Sequence, residues 1–454
     1  MSLPKYPEYR VTDSKLVAEV PKDWQLVPLR RLLPVIESGT SVNALDNQPE
    51  EGKPSVLKTS CVYTSCFRRE ECKEIVEEEL GRATCPVKKD SLIVSRMNTP
   101  DLVGAAGLAD SDIDHLYLPD RLWQVRIGEL IPAFAYYWTQ SRLYRDQVKA
   151  ACSGTSSSMQ NLSQEAFVSF FLCRPESEEQ NQIVSFLDRE TAKIDALIAE
   201  QQRLIELLQE KRQAVISHAV TKGLNPTAPM KDSGVEWLGE VPEHWAVCAV
   251  GHRYEVRLGK MLDEKRVTGN YLGPYLRNTD VQWQSINVKE LPEMDFEPHE
   301  QERYSLREGD LLVCEGGEVG RSAIWEGNRK PCFYQKALHR LRPLYTEQDD
   351  CRFQLYLMRM ACSKGVFEAS SGKATINHLP AESLRRYRFA YPPLEEQVAV
   401  TNHLSVKCMR IDALQKEAES LVLALQERRS ALISAAVTGQ IDVRGLVKAE
   451  ADEQ

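Results

Sequence analysis

One long segment of this chain is written twice, and that repetition limits what it can fold into more than any other feature. "KIDALIAEQQRLIELLQEKRQAVISHAVTKG" occupies 193–223, and "RIDALQKEAESLVLALQERRSALISAAVTG" occupies 410–439. A shift of about 217 residues aligns Pro175–Thr221 with Pro392–Thr438 without a gap, with about 21 of 47 positions identical, so the chain is an internal duplication. Both copies read as helix. Glu178-Glu179 and Glu395-Glu396 follow proline in the first turn, where carboxylates suit the positive end of the helix dipole, and Gly223 or Gly439 sits just past the last turn.

Apolar residues step by fours and threes along each copy. Ile183, Leu187, Ile194, Leu197, Leu204, Leu208 and Val215 mark the first, and Val400, Leu404, Ile411, Leu414, Leu421, Leu425 and Leu432 the second. That is the signature of a coiled-coil seam. Ile198, Ile205, Ile216, Val422 and Ile433 widen the stripe, as expected where a helix also touches a partner. Neither helix can bury its stripe alone, and the other copy has the matching register, so an antiparallel pair is expected. At about 1.5 Å per residue, some 38 helical residues span about 55 Å, roughly one and a half turns of B-DNA. Such a rod could set a gap between two domains.

A second repeated piece lies upstream: "EVPKDW" (Glu19–Trp24) answers "EVPEHW" (Glu240–Trp245), each after an Asp-Ser pair. Trp24 and Trp245 are expected to pack in a core; base stacking is the other use of such a residue. Between the anchors, over about 25–150 and 246–365, identity is slight but the plan persists. "KDSLIVSR" matches "GDLLVCEG" as a short strand, "DRLWQVRI" matches "QKALHRLR", and an aromatic helical stretch (133–151, 352–369) leads to a Ser-Gly loop in each half. The expected class is mixed α/β (α+β): two globular domains separated by two long antiparallel coiled-coil helices, related by a pseudo-twofold internal repeat. The expected boundaries are 1–174 for the first lead-in and domain, 175–222 for the first long helix, 223–391 for the linker, second lead-in and second domain, 392–440 for the second long helix, and 441–454 for a flexible tail.

Composition narrows the function. The 454 residues carry a formal charge of −9, which argues against wholesale wrapping of nucleic acid and leaves only local basic faces. No run approaches the roughly 18 apolar residues of a membrane span, and "MSLPKYPEYRV" has no signal-peptide pattern, so a cytoplasmic protein without membrane partners is expected. The twelve cysteines lack a C-x-x-C pair and the eight histidines lack metal spacing, so free thiols and no metal site are expected. Enzyme motifs fail in turn. "ASSGKAT" has Phe367 where a phosphate loop needs its first glycine and Ala374 where it needs Ser or Thr. "EGGEVG" (Glu315–Gly320) lacks the dinucleotide-binding order. Neither "YPPL" nor "LNPT" supplies the Asn/Asp-Pro-Pro-aromatic tetrapeptide of an adenine methyltransferase, and no nuclease carboxylate cluster is present. No catalytic residue is therefore assigned.

The lead-in "DSGVEWLGEVPEHW", the passage "SSGKATINHLPAESLRRYRFAYPPLEEQ", the "IDAL…LQERRSALISAAVTG" helix and the repetition of all three resemble the specificity (S) subunit of Type I restriction-modification systems. The first half departs in having "SKLVA" before "EVPKDW" and "CRPESEEQ" for "PPLEEQ". The resemblance covers nearly the whole chain. It implies two target-recognition domains, each reading one half of a split sequence in double-stranded DNA, held apart by the helices. It also implies docking of two DNA adenine methyltransferase subunits and, through that core, of restriction/translocase subunits. S-adenosylmethionine and ATP would then be used by those partners, with no cofactor bound by this chain. Because the two domains differ in sequence, the two half-sites should differ. The competing reading is a non-catalytic coiled-coil protein scaffold with two protein-binding modules.

Sequence in DNA is read by polar side chains at base edges, while Lys, Arg, Ser and Thr position phosphates. The Ser-Gly loops 153–161 and 370–377 place such groups at equivalent points: Thr155, Ser156, Ser157 and Gln160 in the first, Lys373, Thr375 and Asn377 in the second. Arg96 and Asn98 follow a strand and suit a guanine or adenine edge; Arg277, Asn278, Gln335 and Lys336 are the comparable candidates in the second domain. Each has a plain alternative as a turn, connector or solvated surface. Leu187, Ile194, Leu197, Leu204, Leu208 and Val215, with Leu404, Ile411, Leu414, Leu421, Leu425 and Leu432, are assigned to the helix pair and its partner-facing stripe.

Overall fold

The computed structural model describes residues 3–156, 159–262, 268–369 and 378–446, with backbone alone at 153–156 and 369. Contacts divide the chain into two compact units, Met1–Gln202 with Ser420–Gln454, and Arg203–Glu419. The long helices run over Ser177–Lys222, 46 residues, and Leu394–Val437, 44 residues, so each contributes to both units. At about 1.5 Å per residue they measure roughly 69 and 66 Å, more than the length expected from the repeat alone.

The units share one topology. In the first, a four-stranded antiparallel sheet has the order Ala106–Leu108, Leu92–Ser95, Leu122–Ile127, Pro34–Ser38. In the second the order is Ser322–Ile324, Leu311–Cys314, Leu338–Pro343, Tyr254–Leu258. These are the strands expected from "KDSLIVSR" and "GDLLVCEG" and from "DRLWQVRI" and "QKALHRLR". A smaller sheet in each unit pairs one strand in parallel, Ser55–Leu57 with Ile113–Tyr117 and Leu272–Leu276 with Phe333–Tyr334. Non-local pairing of this kind leaves no trace in local periodicity. The aromatic stretches become Pro132–Gln140 and Arg142–Ala151, broken where the Ser141 hydroxyl accepts from the Tyr144 amide, and Cys351–Ser363 and Val366–Ala369, broken at Gly365. All twelve cysteines are unpaired.

Each lead-in fastens one helix start to the other helix's end. Trp24 is buried in the first core and donates its indole N–H to Glu179 Oε2 (3.0 Å); Trp245 is buried in the second and donates to Glu396 Oε1 (3.2 Å). Both carboxylates lie in a helix first turn. Packing is thus the role of both tryptophans. Gly439, with φ +73°, ends the second helix against Trp24, where a Cβ would lie 2.4 Å from Pro21 Cδ. Gly223, also at φ +73°, ends the first helix with its Cβ position 3.2 Å from Trp245 Cζ2. Only glycine takes that backbone without strain and admits so close an approach.

Within each unit the helix segments are antiparallel. Ile183, Phe186 and Leu187 share a core with Ile433, Ala436 and Val437 in the first; Ile216, Ala219 and Val220 share one with Val400, Leu404 and Cys408 in the second. Arg429 Nε meets Asp195 Oδ1 at 2.9 Å, and Arg212 Nη1 meets Asp412 Oδ1 at 2.7 Å. Under the shift of about 217 residues these are one pair written twice. Beyond the second helix, residues 441–446, expected in the flexible tail, are packed: Val443 is buried, Asp442 N donates to Pro4 O, and Arg444 lies over the Tyr6 ring.

The seam itself needs a correction. Its inward positions are Leu187, Thr191, Ile194, Ile198, Gln201, Ile205, Leu208, Arg212, Val215 and Ala219, a strict alternation of fours and threes. The second helix repeats it from Leu404 through Cys408, Ile411, Gln415, Ala418, Val422, Leu425, Arg429 and Leu432 to Ala436. Leu197, Leu204, Leu414 and Leu421, expected in the seam, are exposed. The expected stripe slipped by one residue to a neighbouring leucine: Ile198, Ile205 and Val422, read as widening it, are the inward residues beside Leu197, Leu204 and Leu421, and the inward Gln415 beside Leu414 was passed over as polar. Leu208→Ala should therefore destabilise the second unit by about 2–5 kcal/mol. Leu204→Ala should cost less than about 0.5 kcal/mol. Urea midpoints of the two variants compare these directly, and equal losses would contradict the seam.

Candidate nucleic-acid interface

In the first unit the strand Leu92–Ser95 runs on into Met97–Asn98, which pairs with Met159–Asn161, itself paired with Ser153–Ser156. The described parts of the expected Ser-Gly loop are therefore two antiparallel strands, 153–156 and 159–161, and the register of the second sets Gln160 opposite Asn98. Thr155 and Ser156 lie on the outer strand; Ser157 falls outside the described residues. Asn98 is 7% exposed and its amide is committed: Nδ2 donates to Tyr63 Oη (3.0 Å) and Ser95 Oγ (3.2 Å), and Oδ1 accepts from the Thr99 amide (2.9 Å). It builds the turn. It has no free edge for a base. Arg96 is different. Its guanidinium carbon sits 6.0 Å from the Trp123 ring centroid, and its Nε is buried without a hydrogen-bond partner. A half-buried cation held over an indole is pre-positioned, with its donors still to be satisfied.

The second unit repeats the frame with other residues. Gly316 bridges His378 antiparallel, and Leu379 N donates to Glu315 O at 2.8 Å, as Leu162 N donates to Arg96 O at 2.8 Å. Glu315 thus stands where the first unit has Arg96. It is 9% exposed and its Oε1 lies 3.1 Å from His378 Nε2. Burial pushes its carboxyl above the usual carboxylate range, while His378 and Lys336 pull it down. Asn278 Nδ2 donates to Gly316 O (2.8 Å) and its Oδ1 accepts from Arg321 (3.3 Å). Lys336 is exposed, with its amide donating to Lys260 O (2.8 Å), and Gln335 is half-buried in a parallel bridge with Lys260. Arg277 turns away, spending its guanidinium on Asp280 through two bonds of 2.9 and 2.8 Å. Lys373, Thr375 and Asn377 lie outside the described residues.

The structure therefore gathers Asn98 and Gln160 on one small sheet with Arg96 at its entry, and Asn278 and Lys336 around Glu315 and Gly316. Glu315, His378 and Tyr63 were missed. Aligned letter by letter, "KDSLIVSR" sets Arg96 opposite Gly316; the strand ladders, with Leu92 and Leu311 in equivalent places, shift the match by one residue to Glu315.

His339 anchors this region. It is fully buried, donates from Nε2 to Leu379 O (2.7 Å), and leaves Nδ1 buried without a partner. Burial, with His378 and Arg385 nearby, pushes its pKa down to about 4 from 6.5. The neutral ring is the folded form. Its contribution is complete above pH 6.5 and is lost as pH falls toward 4, because the unfolded chain takes up the proton first. A loss of about 3 kcal/mol across that window is expected. His339→Gln should flatten the stability profile of the second unit there, and an unchanged slope would contradict the assignment.

Among the described residues no helix is long and apolar enough to cross a membrane. The model of the Type I restriction modification DNA specificity domain matches residues 21–207 and 242–419. The Type I restriction enzyme MjaVIII specificity subunit of Methanocaldococcus jannaschii is 22% identical over 447 residues, covering 94% of this chain and 95% of that protein. The Type I restriction enzyme StySPI specificity subunit of Salmonella potsdam is 21% identical over 318 residues, covering 68% and 65%. A solved structure described for complex assembly and conformational transition of the type I R-M system superposes with a TM-score of 0.68 at 15% identity, over 92% of this chain and 99% of that one. The HsdS subunit of Thermoanaerobacter tengcongensis gives 0.50 at 15% identity, over 92% and 98%. The duplicated topology, the repeated lead-in and helix, and a family model matching both halves lead to one conclusion: this chain belongs to the Type I restriction modification DNA specificity domain family.

Proposed function

We propose that this chain is the DNA-reading subunit of a Type I restriction-modification complex and carries no catalytic centre of its own. The observation that carries the reading is the doubled site: one backbone frame, built twice, with Arg96 in the first unit and Glu315 in the second. Arginine suits the O6 and N7 acceptors of guanine, and a carboxylate suits the N4 donor of cytosine, so the two units would read chemically different half-sites of one asymmetric bipartite target. The long helices would fix the spacing of the half-sites. Their exposed leucines, Leu197 and Leu421 in the first unit and Leu204 and Leu414 in the second, give DNA adenine methyltransferase subunits an apolar surface to dock on, one copy to each equivalent face. S-adenosylmethionine and ATP would be used by those partners and by the restriction/translocase subunits, in the cytoplasm.

Competition binding with a bipartite duplex, by this chain alone and with its methyltransferase, tests the reading. Affinity that stays indifferent to sequence in the complex would exclude it. Arg96→Ala should relax discrimination at one position of a single half-site by about 1–3 kcal/mol and leave the other half-site unchanged. The check is binding to a panel of single-base variants. Inserting one heptad into both helices preserves the seam and lengthens each by about 10 Å, so the preferred gap should grow by roughly three base pairs with both half-sites intact. A changed half-site sequence would contradict the spacer role.

A further inference from the structure

The second unit holds a concentration of arginine that the reading above does not use. A cavity of about 520 Å³ is lined by Arg257, Arg303, Arg307, Arg340 and Arg342, with the carboxylates of Glu255 and Glu302 and the His299 ring also on its wall. In a chain with a net charge of −9 this gathering is local and conspicuous. Cross-strand register sets Arg257 opposite Arg340 and Glu255 opposite Arg342. Glu255 receives both Arg257 Nη2 (2.7 Å) and Arg340 Nη2 (2.6 Å), so one carboxylate serves two guanidinium groups. Arg342 is paired to Asp310 through bonds of 2.7 and 2.6 Å.

Two cations remain over. Arg303 lies 5.3 Å from the Tyr304 ring centroid and Arg307 is exposed; neither has a carboxylate partner among the described residues. The Arg340 side chain, 1% exposed at the cavity floor, donates from Nη1 to Arg303 O and Ser305 O (both 3.1 Å), yet its Nε is buried without a partner. Like charges held together with donors unspent are costly unless an anion answers them. Among the described residues the first unit repeats this only in part: Gln124 stands in the place of Arg340 and Glu37 in that of Arg257, while Arg126, in the place of Arg342, and Lys88 lie beside Glu37 at 3.2 and 3.9 Å.

We propose that this cavity is a phosphate-binding site, taking the doubly charged oxygens of a phosphoryl group on Arg303, Arg307 and the partly satisfied Arg340. Guanidinium forks match tetrahedral oxyanions in both geometry and charge, and five arginines against the three carboxylates of Glu255, Asp310 and Glu302 leave two positive charges to meet a dianion. The phosphoryl group comes either from a DNA backbone or from a free phosphate compound.

Calorimetric titration of the full chain with inorganic pyrophosphate is the test. The wild-type chain should bind it, the exposed double variant R303A/R307A should bind at least tenfold more weakly with an unchanged melting temperature, and R303K/R307K should recover part of the loss. Equal affinity in wild type and R303A/R307A, or no binding by the wild type, overturns the site. This arm needs no DNA, so it stands apart from the recognition reading. The source follows from DNA binding in the complex with methyltransferase. A fall of about one to two in the salt slope of R303A/R307A, with pyrophosphate competing, assigns the site to backbone phosphates. An unchanged slope alongside lost pyrophosphate binding assigns it to a free phosphate compound. Both outcomes uphold the site.

Discussion

The helical frame of each unit depends on a register lock between two antiparallel helix segments. Asp195 with Arg429 in the first unit and Arg212 with Asp412 in the second are equivalent pairs under the internal repeat, so the same antiparallel register recurs within each unit. Half-exposed ion pairs of this kind contribute little to stability, on the order of 0–1 kcal/mol each. Their effect is selective: sliding either helix by a heptad keeps apolar residues facing one another but separates both pairs, and it pulls Gly223 and Gly439 away from Trp245 and Trp24. Apolar burial supplies the energy of the seam, while the ion pairs and the tryptophan anchors choose its register.

The same duplication lets one backbone frame carry two different sets of side chains. The four-stranded sheets match strand for strand, and the hydrogen bonds from Leu162 and Leu379 fix the same backbone point in each unit. What varies is the side chain on that point and its support: Arg96 lies over Trp123, while Glu315 meets His378 and stands beside a neutral, buried His339 in the place of Trp123. A frame that keeps its backbone can exchange the charge it presents at one point without refolding. Where the second unit has Arg257 and Arg340 the first has Glu37 and Gln124, so the two halves differ in surface chemistry on one frame.

The helices, the lead-ins and the principal strands were legible in the sequence because each rests on local periodicity or on repetition. Trp24 and Trp245 were recognised as core because they recur beside the same lead-in. The parallel strand pairs and the third strand beside Met97–Asn98 were not legible, since partners distant along the chain leave no local signature. The seam was displaced by one residue at Leu197, Leu204, Leu414 and Leu421, where adjacent apolar pairs such as Leu197-Ile198 and Leu204-Ile205 leave the phase open and the inward Gln415 carries no apolar mark. Asn98 and Arg277 looked available for base contacts because sequence lists a side chain's chemistry but not its prior engagements with Ser95, Tyr63 and Asp280. Glu315 was hidden by the one-residue offset between string similarity and strand register.

The central claim is that two unlike units on one helical frame read two unlike half-sites. Base-resolution mapping of adenine methylation, in cells that carry this chain with its methyltransferase and in cells from which only this chain is deleted, tests it most directly. The account predicts a motif of two different short sequences separated by a fixed number of unspecified bases, lost on deletion. Methylation that persists without the chain, or that marks a single continuous motif, would contradict it.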